Sequence, residues 1–306
     1  MDEQTQTAYR RRYMKAVDSF VEKVRNDINV IAVVVCGSLS YDVVWDKSDI
    51  DITVIIRDQK IDNYAYCIIE DGITLSVELA PRSKFKRYLE SSGSLGGSFT
   101  QAYFSNAQLV YTTDDSLYEC FEEIKSIGIG DIPLTALRIA ADLLHFRAKS
   151  LKWVKARKDP LYAQYFLLMA AESVANTELC LQGIPFSRNG IQKALTQNPE
   201  LMRPFYLDPM SRRLSEEEIL ATIHKIDDYL TRNIDVLKQP VVEYLSDRDL
   251  KTMTMINKHS HSAGDALSYV FDFLAEKGII EKVSKTIRLT PKSKATVEEI
   301  GYLYVG

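Results

Sequence analysis

Asp49 and Asp51 stand one residue apart in the run Ser48-Asp49-Ile50-Asp51-Ile52-Thr53-Val54. Alternate side chains of an extended segment share a face, so the two carboxylates project together from Cα atoms roughly 6.5–7 Å apart. Ile50, Ile52 and Val54 take the opposite face and tie the strand to a core. Two like charges this close repel, and one takes up a proton unless something neutralises the pair. A divalent cation does so. Hard oxygen ligands suit Mg²⁺, which uses one or two carboxylates and completes its shell with waters and substrate phosphates.

Gly37-Ser38 follows the apolar run VIAVVVC directly. A glycine at the end of a buried strand lets the backbone turn sharply and approach a ligand, and the amides and hydroxyl beside it can hold phosphate oxygens. Glu78 lies in the middle of ITLSVEL with Leu75, Val77 and Leu79 around it. A glutamate among apolar neighbours is costly unless it is paired, as a salt-bridged edge residue would be, or ligates a metal. It could complete a metal site or accept the proton of an incoming hydroxyl. Metal carboxylates beside a phosphate cradle are the equipment for phosphoryl or nucleotidyl transfer, in which two ions stabilise the attacking and leaving oxygens. Ser48 reads first as a turn residue leading into the strand.

These residues need a sheet to hold them. Apolar positions Tyr13, Val17, Phe20, Val21 and Val24 predict a helix from Tyr9 to about Asn29. VIAVVVC and DIDITVII read as strands, and residues 64–70 and 73–79 as a hairpin about Asp71-Gly72. A short helix over 83–90, a flexible SSGSLGGS loop and a last strand at AQLVYTT complete a small mixed-sheet domain, 1–125. From 126 to 240 no strand is expected. Long helical patterns begin at Leu134, at Asp159-Pro160 with proline in the first turn, and at Ser215, where the following glutamates suggest a capping box. Residues 241–306 return to mixed structure: a helix from Asp265 to Lys277, then IIEKVSKTIRLT as strand, turn and strand, then a helical or extended end at VEEIGYLYV. Helix, helix, hairpin is the order of a winged-helix-like module. The fold class expected is α+β, with an all-α bundle between the two mixed parts.

Gly37-Ser38, ten residues, Asp49-Ile50-Asp51, and then Val77-Glu78-Leu79 on a later strand resemble the DNA polymerase β-like nucleotidyltransferase superfamily. The spacer length and Ser48 before the first aspartate are most similar to its bacterial aminoglycoside and minimal nucleotidyltransferase branch, which usually adds a helical C-terminal domain. The resemblance implies Mg²⁺-dependent transfer, with two ions or Mn²⁺ in their place, of a nucleoside monophosphate from an NTP to a hydroxyl. ATP is the NTP expected; the acceptor is a small molecule, a protein or an RNA. Asp49, Asp51 and Glu78 would be the metal-binding and catalytic carboxylates, and Gly37, Ser38 and Ser48 the nucleotide contacts. A homodimer that completes the cleft is a further expectation from the resemblance. The chain departs from the pattern at Tyr41-Asp42, where that branch often carries Arg-Gly. This removes a phosphate-seeking cation and leaves the substrate and loop path open.

The remaining signals bound the reading. The 306 residues carry a net charge of −4, which gives no whole-molecule attraction to nucleic acid or anionic lipid. Any such attraction must be local. Arg147, Lys149, Lys152, Lys155, Arg157 and Lys158 form one basic run, a solvated helix face or an anion site, with Tyr162 and Tyr165 close behind it. Residues 247–294 hold nine basic and six acidic side chains, so nucleic acid is a candidate partner of the C-terminal module. The competing function is a nucleotide-sensing regulator that binds nucleic acid through that module. The four scattered cysteines form no CxxC pair, and His259 and His261 lack a third partner, which argues against zinc. No apolar run reaches the ~20 residues of a membrane span, and the N-terminus lacks a secretory apolar core, so a soluble cytoplasmic protein without a membrane partner is expected.

Overall fold

A computed structural model describes residues 2–40, 44–87, 103–187, 189–260, 262, 265–292 and 294–306. Contact density divides the chain into two units, residues 1–127 with 184–187, and residues 128–183 with 188–306. The expected helical and C-terminal regions thus share one compact unit.

In the first unit, α1 (Glu3–Val24) starts where the Asp2 side chain accepts from the Thr5 amide, and it buries Tyr13, Ala16, Val17 and Phe20. It begins earlier than the apolar spacing alone indicates, because its first turns are polar and exposed. The strands are β1 (Val30–Cys36), β2 (Ile50–Ile56), β3 (Ala65–Glu70), β4 (Ile73–Pro81) and β5 (Gln108–Thr112), followed by α2 (Ser116–Glu123). They form one mixed sheet in the order β3-β4-β2-β1-β5, with β2 and β4 parallel and the other pairs antiparallel. Asp71 and Gly72, both at positive φ (49° and 74°), turn β3 into β4. One face of the sheet packs Val33, Val35, Ile50, Ile52, Val54, Leu75 and Val77 against α1. On the other, Ala32, Val34, Ile55 and Ala80 pack against Phe85, Phe104, Leu117 and Phe121. Residues 83–87 are helical as expected; residues 88–90 and the SSGSLGGS stretch lie outside the described residues.

In the second unit, α3 (Ile132–Lys155) and α4 (Pro160–Leu181) pair along their lengths. The Asp159 side chain accepts from the Tyr162 amide at 2.9 Å and caps α4. Next come α5 (Gly190–Gln197), three single turns over 199–211, α6 (Glu216–Arg232) and α7 (Ile234–Tyr244). The capping box at Ser215 is formed with Glu218. Asn233 separates α6 from α7, where the sequence pattern reads as one helix.

The C-terminal elements are β6 (Lys251–Thr252), α8 (Met253–His259), α9 (Ser268–Glu276), β7 (Glu281–Ile287) and β8 (Val297–Leu303), with sheet order β6-β8-β7. Here the hairpin differs from expectation. EKVSKTI is one continuous strand, and its partner is VEEIGYL, not the second half of IIEKVSKTIRLT. The stretch 281–287 holds no Gly, Pro, Asn or Asp, whereas Pro291 falls in the connection that makes the reversal. No helix among the described residues is long and apolar enough to cross a membrane.

Candidate active site

Parallel pairing of β2 with β4 sets Asp51 opposite Ser76 and Thr53 opposite Glu78. Directly opposed residues share a face, so Asp51, Thr53, Ser76 and Glu78 lie on one side of the sheet, away from the core face of Ile50 and Ile52. Asp49 joins them just before the strand, where its carboxylate accepts from Ser76 Oγ at 2.7 Å. Three sequence-predicted carboxylates therefore occupy one face. Asp51 and Glu78 are diagonal neighbours across one strand boundary, about 7–8 Å between Cα atoms for such a pair.

Gly37 closes the site from β1. Cys36 pairs with Asp51, and the chain then turns at Gly37 with φ +64°. A Cβ on Gly37 would sit 1.7 Å from Asp51 Oδ2, so only glycine admits the carboxylate at this place. Ser40 Oγ donates to the Gly37 carbonyl at 2.7 Å and fixes the turn. Ser38 is half-buried, and among the described residues its hydroxyl has no hydrogen-bond partner.

Glu78 is exposed, because Leu75 and Val77 point to the core while Glu78 is flanked by Thr53 and the small Ala65. Water solvates its charge, so the cost that sequence reasoning assigned to it is absent. Ser48 sits in the turn that precedes the strand: its amide donates to the Trp45 carbonyl at 3.0 Å.

Sequence reasoning missed the residues that hold this turn. Tyr13 on α1 donates its hydroxyl to the Ser48 carbonyl at 2.9 Å, with the Trp45 and Asp46 carbonyls at 3.1 and 3.2 Å. Gln6 takes Val44 in both directions, donating to its carbonyl at 3.0 Å and accepting from its amide at 2.9 Å. These bonds span 32 to 38 residues of sequence and leave no local signature. On the same side of the sheet, burial pushes the Cys36 thiol up to about 12, with the Thr53 and Tyr103 hydroxyls beside it. Burial, then the neighbouring Cys36 and Asp51, raise the Tyr103 hydroxyl as well. Tyr41 and Asp42 lie outside the described residues.

The donor set is all oxygen. Among the described residues, no group of three or more His, Cys, Asp or Glu is gathered closely enough to hold a metal ion. The pair Asp49 and Asp51 is enough in kind for Mg²⁺, which takes one or two carboxylates and completes its shell with phosphates and water. Two histidines are engaged by rings of the second unit: His259 stacks on Tyr244 with ring centroids 3.9 Å apart, and His145 meets Tyr269 edge to face. His261 lies outside the described residues.

A five-stranded mixed sheet with a glycine turn at one strand end and helices following it is a nucleotidyltransferase-like fold. The chain is similar to the crystal structure of a nucleotidyltransferase-like protein from Exiguobacterium sibiricum 255-15, with a TM-score of 0.64 and 16% identity. The match covers 95% of this chain and 99% of that one, so it includes both units. At this identity the likeness is one of fold. No protein-family model matches the sequence, and no curated protein matches it.

Proposed function

We propose that this protein is a nucleotidyltransferase that moves a nucleoside monophosphate from an NTP, ATP foremost, to a hydroxyl acceptor and releases pyrophosphate. The observation that carries the reading is Gly37, whose Cα is pressed against the Asp51 carboxylate on the face that also bears Asp49 and Glu78. Two carboxylates held at a glycine turn, beside the Ser38 hydroxyl that is unpaired among the described residues, suit a cation-bound triphosphate better than a structural role. Asp49 and Asp51 would hold Mg²⁺ or Mn²⁺, which supplies charge neutralisation on the phosphates and the developing pyrophosphate. The backbone of Gly37 and the Ser38 hydroxyl bind phosphate oxygens. Ser76 orients Asp49, and Gln6 and Tyr13 fix the loop that delivers it.

Glu78 is the proton acceptor. The acceptor oxygen attacks the α-phosphorus, the bond from that phosphorus to pyrophosphate breaks, and the hydroxyl proton passes to the Glu78 carboxylate. An exposed glutamate suits this role because it must meet a second substrate.

The C-terminal element order, α7-β6-α8-α9-β7-β8 with sheet order β6-β8-β7, supports reading residues 241–306 as winged-helix-like. The competing reading, a regulator that grips nucleic acid through this module, is weakened by its own helix. α9 carries Asp272 and Glu276 and no basic residue, and its Tyr269 is engaged by His145 of α3. The wing's Lys282 is neutralised by Asp272 at 2.8 Å.

Isothermal titration with ATP, CTP, GTP and UTP in the presence of Mg²⁺ tests the proposal. Metal-dependent binding is expected in the wild type, and Asp49→Asn with Asp51→Asn should weaken it by about tenfold to a hundredfold or more. Undiminished metal-dependent binding in that double variant overturns the assignment.

A further inference from the structure

The basic run at the end of α3 and just past it divides by partner. Arg147 pairs with Asp227 at 2.7 Å, and Lys158 approaches Glu216 at 3.7 Å. Among the described residues, Lys149 and Arg157 have no carboxylate within ion-pair distance. Lys149 lies one helical turn before Trp153 on the same side of α3, and Arg157 follows just past the helix end at Lys155. The Arg157 guanidinium lies 5.9 Å from the Trp153 ring centroid.

The start of α4 continues this surface. Tyr162 meets Trp153 with centroids 4.4 Å apart, and Tyr165 stacks on Tyr162 at 5.5 Å and 26° between planes. Phe166 backs both tyrosines edge-on, at 5.3 and 5.4 Å. The helix keeps its core on another stripe, with Ala163, Leu167, Ala170 and Val174 fully buried. Tyr162 and Tyr165 remain 44% and 48% exposed. They are not core residues at helical spacing; they are mutually braced rings left open to solvent.

We infer that this surface is a binding site for single-stranded nucleic acid, independent of the nucleotidyl-transfer site. Braced aromatic faces beside unpaired cations match the two repeating features of a single strand, unpaired bases and phosphates. An acidic peptide would satisfy Lys149 and Arg157 and leave the ring faces bare. A duplex would satisfy the cations and offer no free base to Tyr162 and Tyr165. Because stacking accepts every base, little sequence preference is expected.

Fluorescence anisotropy of the whole chain with labelled oligo-U and oligo-dT strands of about 15 nucleotides, against a duplex of equal length, tests the site. Both strands should bind at low salt and the duplex more weakly. With two phosphate contacts, affinity should fall roughly sevenfold between about 50 and about 200 mM salt. Tyr162→Ala with Tyr165→Ala should weaken binding by about tenfold or more. Tyr162→Phe with Tyr165→Phe should preserve binding, and Lys149→Ala with Arg157→Ala should flatten the salt dependence. Circular dichroism confirms that each variant folds. No binding at low salt, equal affinity for the duplex, or wild-type affinity in both alanine pairs overturns the inference. So does a self-association of the chain, seen by sedimentation, that Tyr162→Ala and Tyr165→Ala abolish while strand binding stays intact.

Discussion

Two groups of acids, one on each sheet, are treated in opposite ways. In the C-terminal sheet, Glu298 accepts from Ser284 at 2.9 Å and Thr286 at 2.6 Å, and these bonds hold its carboxyl below the usual range. Glu299 accepts the Thr254 amide at 2.8 Å. Asp272, packed beside the sheet, takes Lys282 and the Tyr302 hydroxyl. On the N-terminal sheet Asp49 has one hydroxyl partner, Ser76, and Glu78 has no hydrogen bond or ion pair among the described residues. Asp51 is instead fitted against a glycine. Acids that serve the fold are given donors by the fold. Asp49 with its single hydroxyl donor, and Glu78 with none among the described residues, are the ones with room for a ligand.

The sharpest way to break this contrast is a matched pair of glycine variants. Gly37 and Gly278 have nearly the same dihedral, φ +64° and +72°, but an added Cβ meets Asp51 at the first and open space at the second. Gly278→Ala should cost only the left-handed backbone term, about 1–2 kcal/mol. Gly37→Ala should cost about 1 kcal/mol or more beyond that, and should displace Asp51 and lower Mg²⁺-dependent ATP binding as well. Equal thermal shifts in the two variants, with ATP binding unaltered, would remove the close approach as a functional feature.

A second pair compares a serving acid with a completed one. Tyr302 is fully buried, and its hydroxyl donates to Asp272 at 2.5 Å. Tyr302→Phe deletes a hydrogen bond to a charged group and should destabilise the chain by about 1.5–3 kcal/mol in denaturant unfolding. Glu78→Gln, at an exposed position without side-chain partners among the described residues, should shift stability by no more than about 0.5 kcal/mol. The same variant should nevertheless slow nucleotidyl transfer, measured as label moving from ATP to acceptor. A large stability loss at Glu78 would mean that the fold, not the reaction, holds that side chain in place.

Much of the site can be read from residue types. The Asp-Ile-Asp alternation specifies its own face, Gly37-Ser38 marks the turn, and Asp71-Gly72 and Asp159-Pro160 place a hairpin and a helix start through local dihedral chemistry. What escapes is carried by distance or by weak alternation. Tyr13 and Gln6 act on carbonyls and an amide more than thirty residues away. β8 is disguised because Glu298 and Glu299 interrupt its apolar period, and their real partners, Ser284, Thr286 and Thr254, lie on other elements. β6 is two residues long and has no period at all. Glu78 misleads in the other direction: its apolar neighbours are buried, and the register leaves it in solvent.

The smallest expected effect comes from the acid best supplied with donors. Glu218 accepts two guanidinium bonds from Arg212, at 2.9 and 2.7 Å, and the Ser215 amide at 2.8 Å. Those bonds, Arg212 first, bring its carboxyl down to about 2 from an ordinary 4.5. A depressed carboxyl contributes stability that is fully present above the unfolded value and is lost as pH falls through the folded one. The melting temperature of the wild type should therefore decline as pH drops from about 4.5 toward about 2, in part through this group. Glu218→Gln should start lower at neutral pH and show a shallower decline over the same window. Because the pair is solvent-exposed, salt should shrink the difference between the two proteins. Identical pH profiles would mean that the capping box is held by Ser215 and the helix's apolar face alone, and that a full set of donors on an exposed acid adds nothing measurable to the fold.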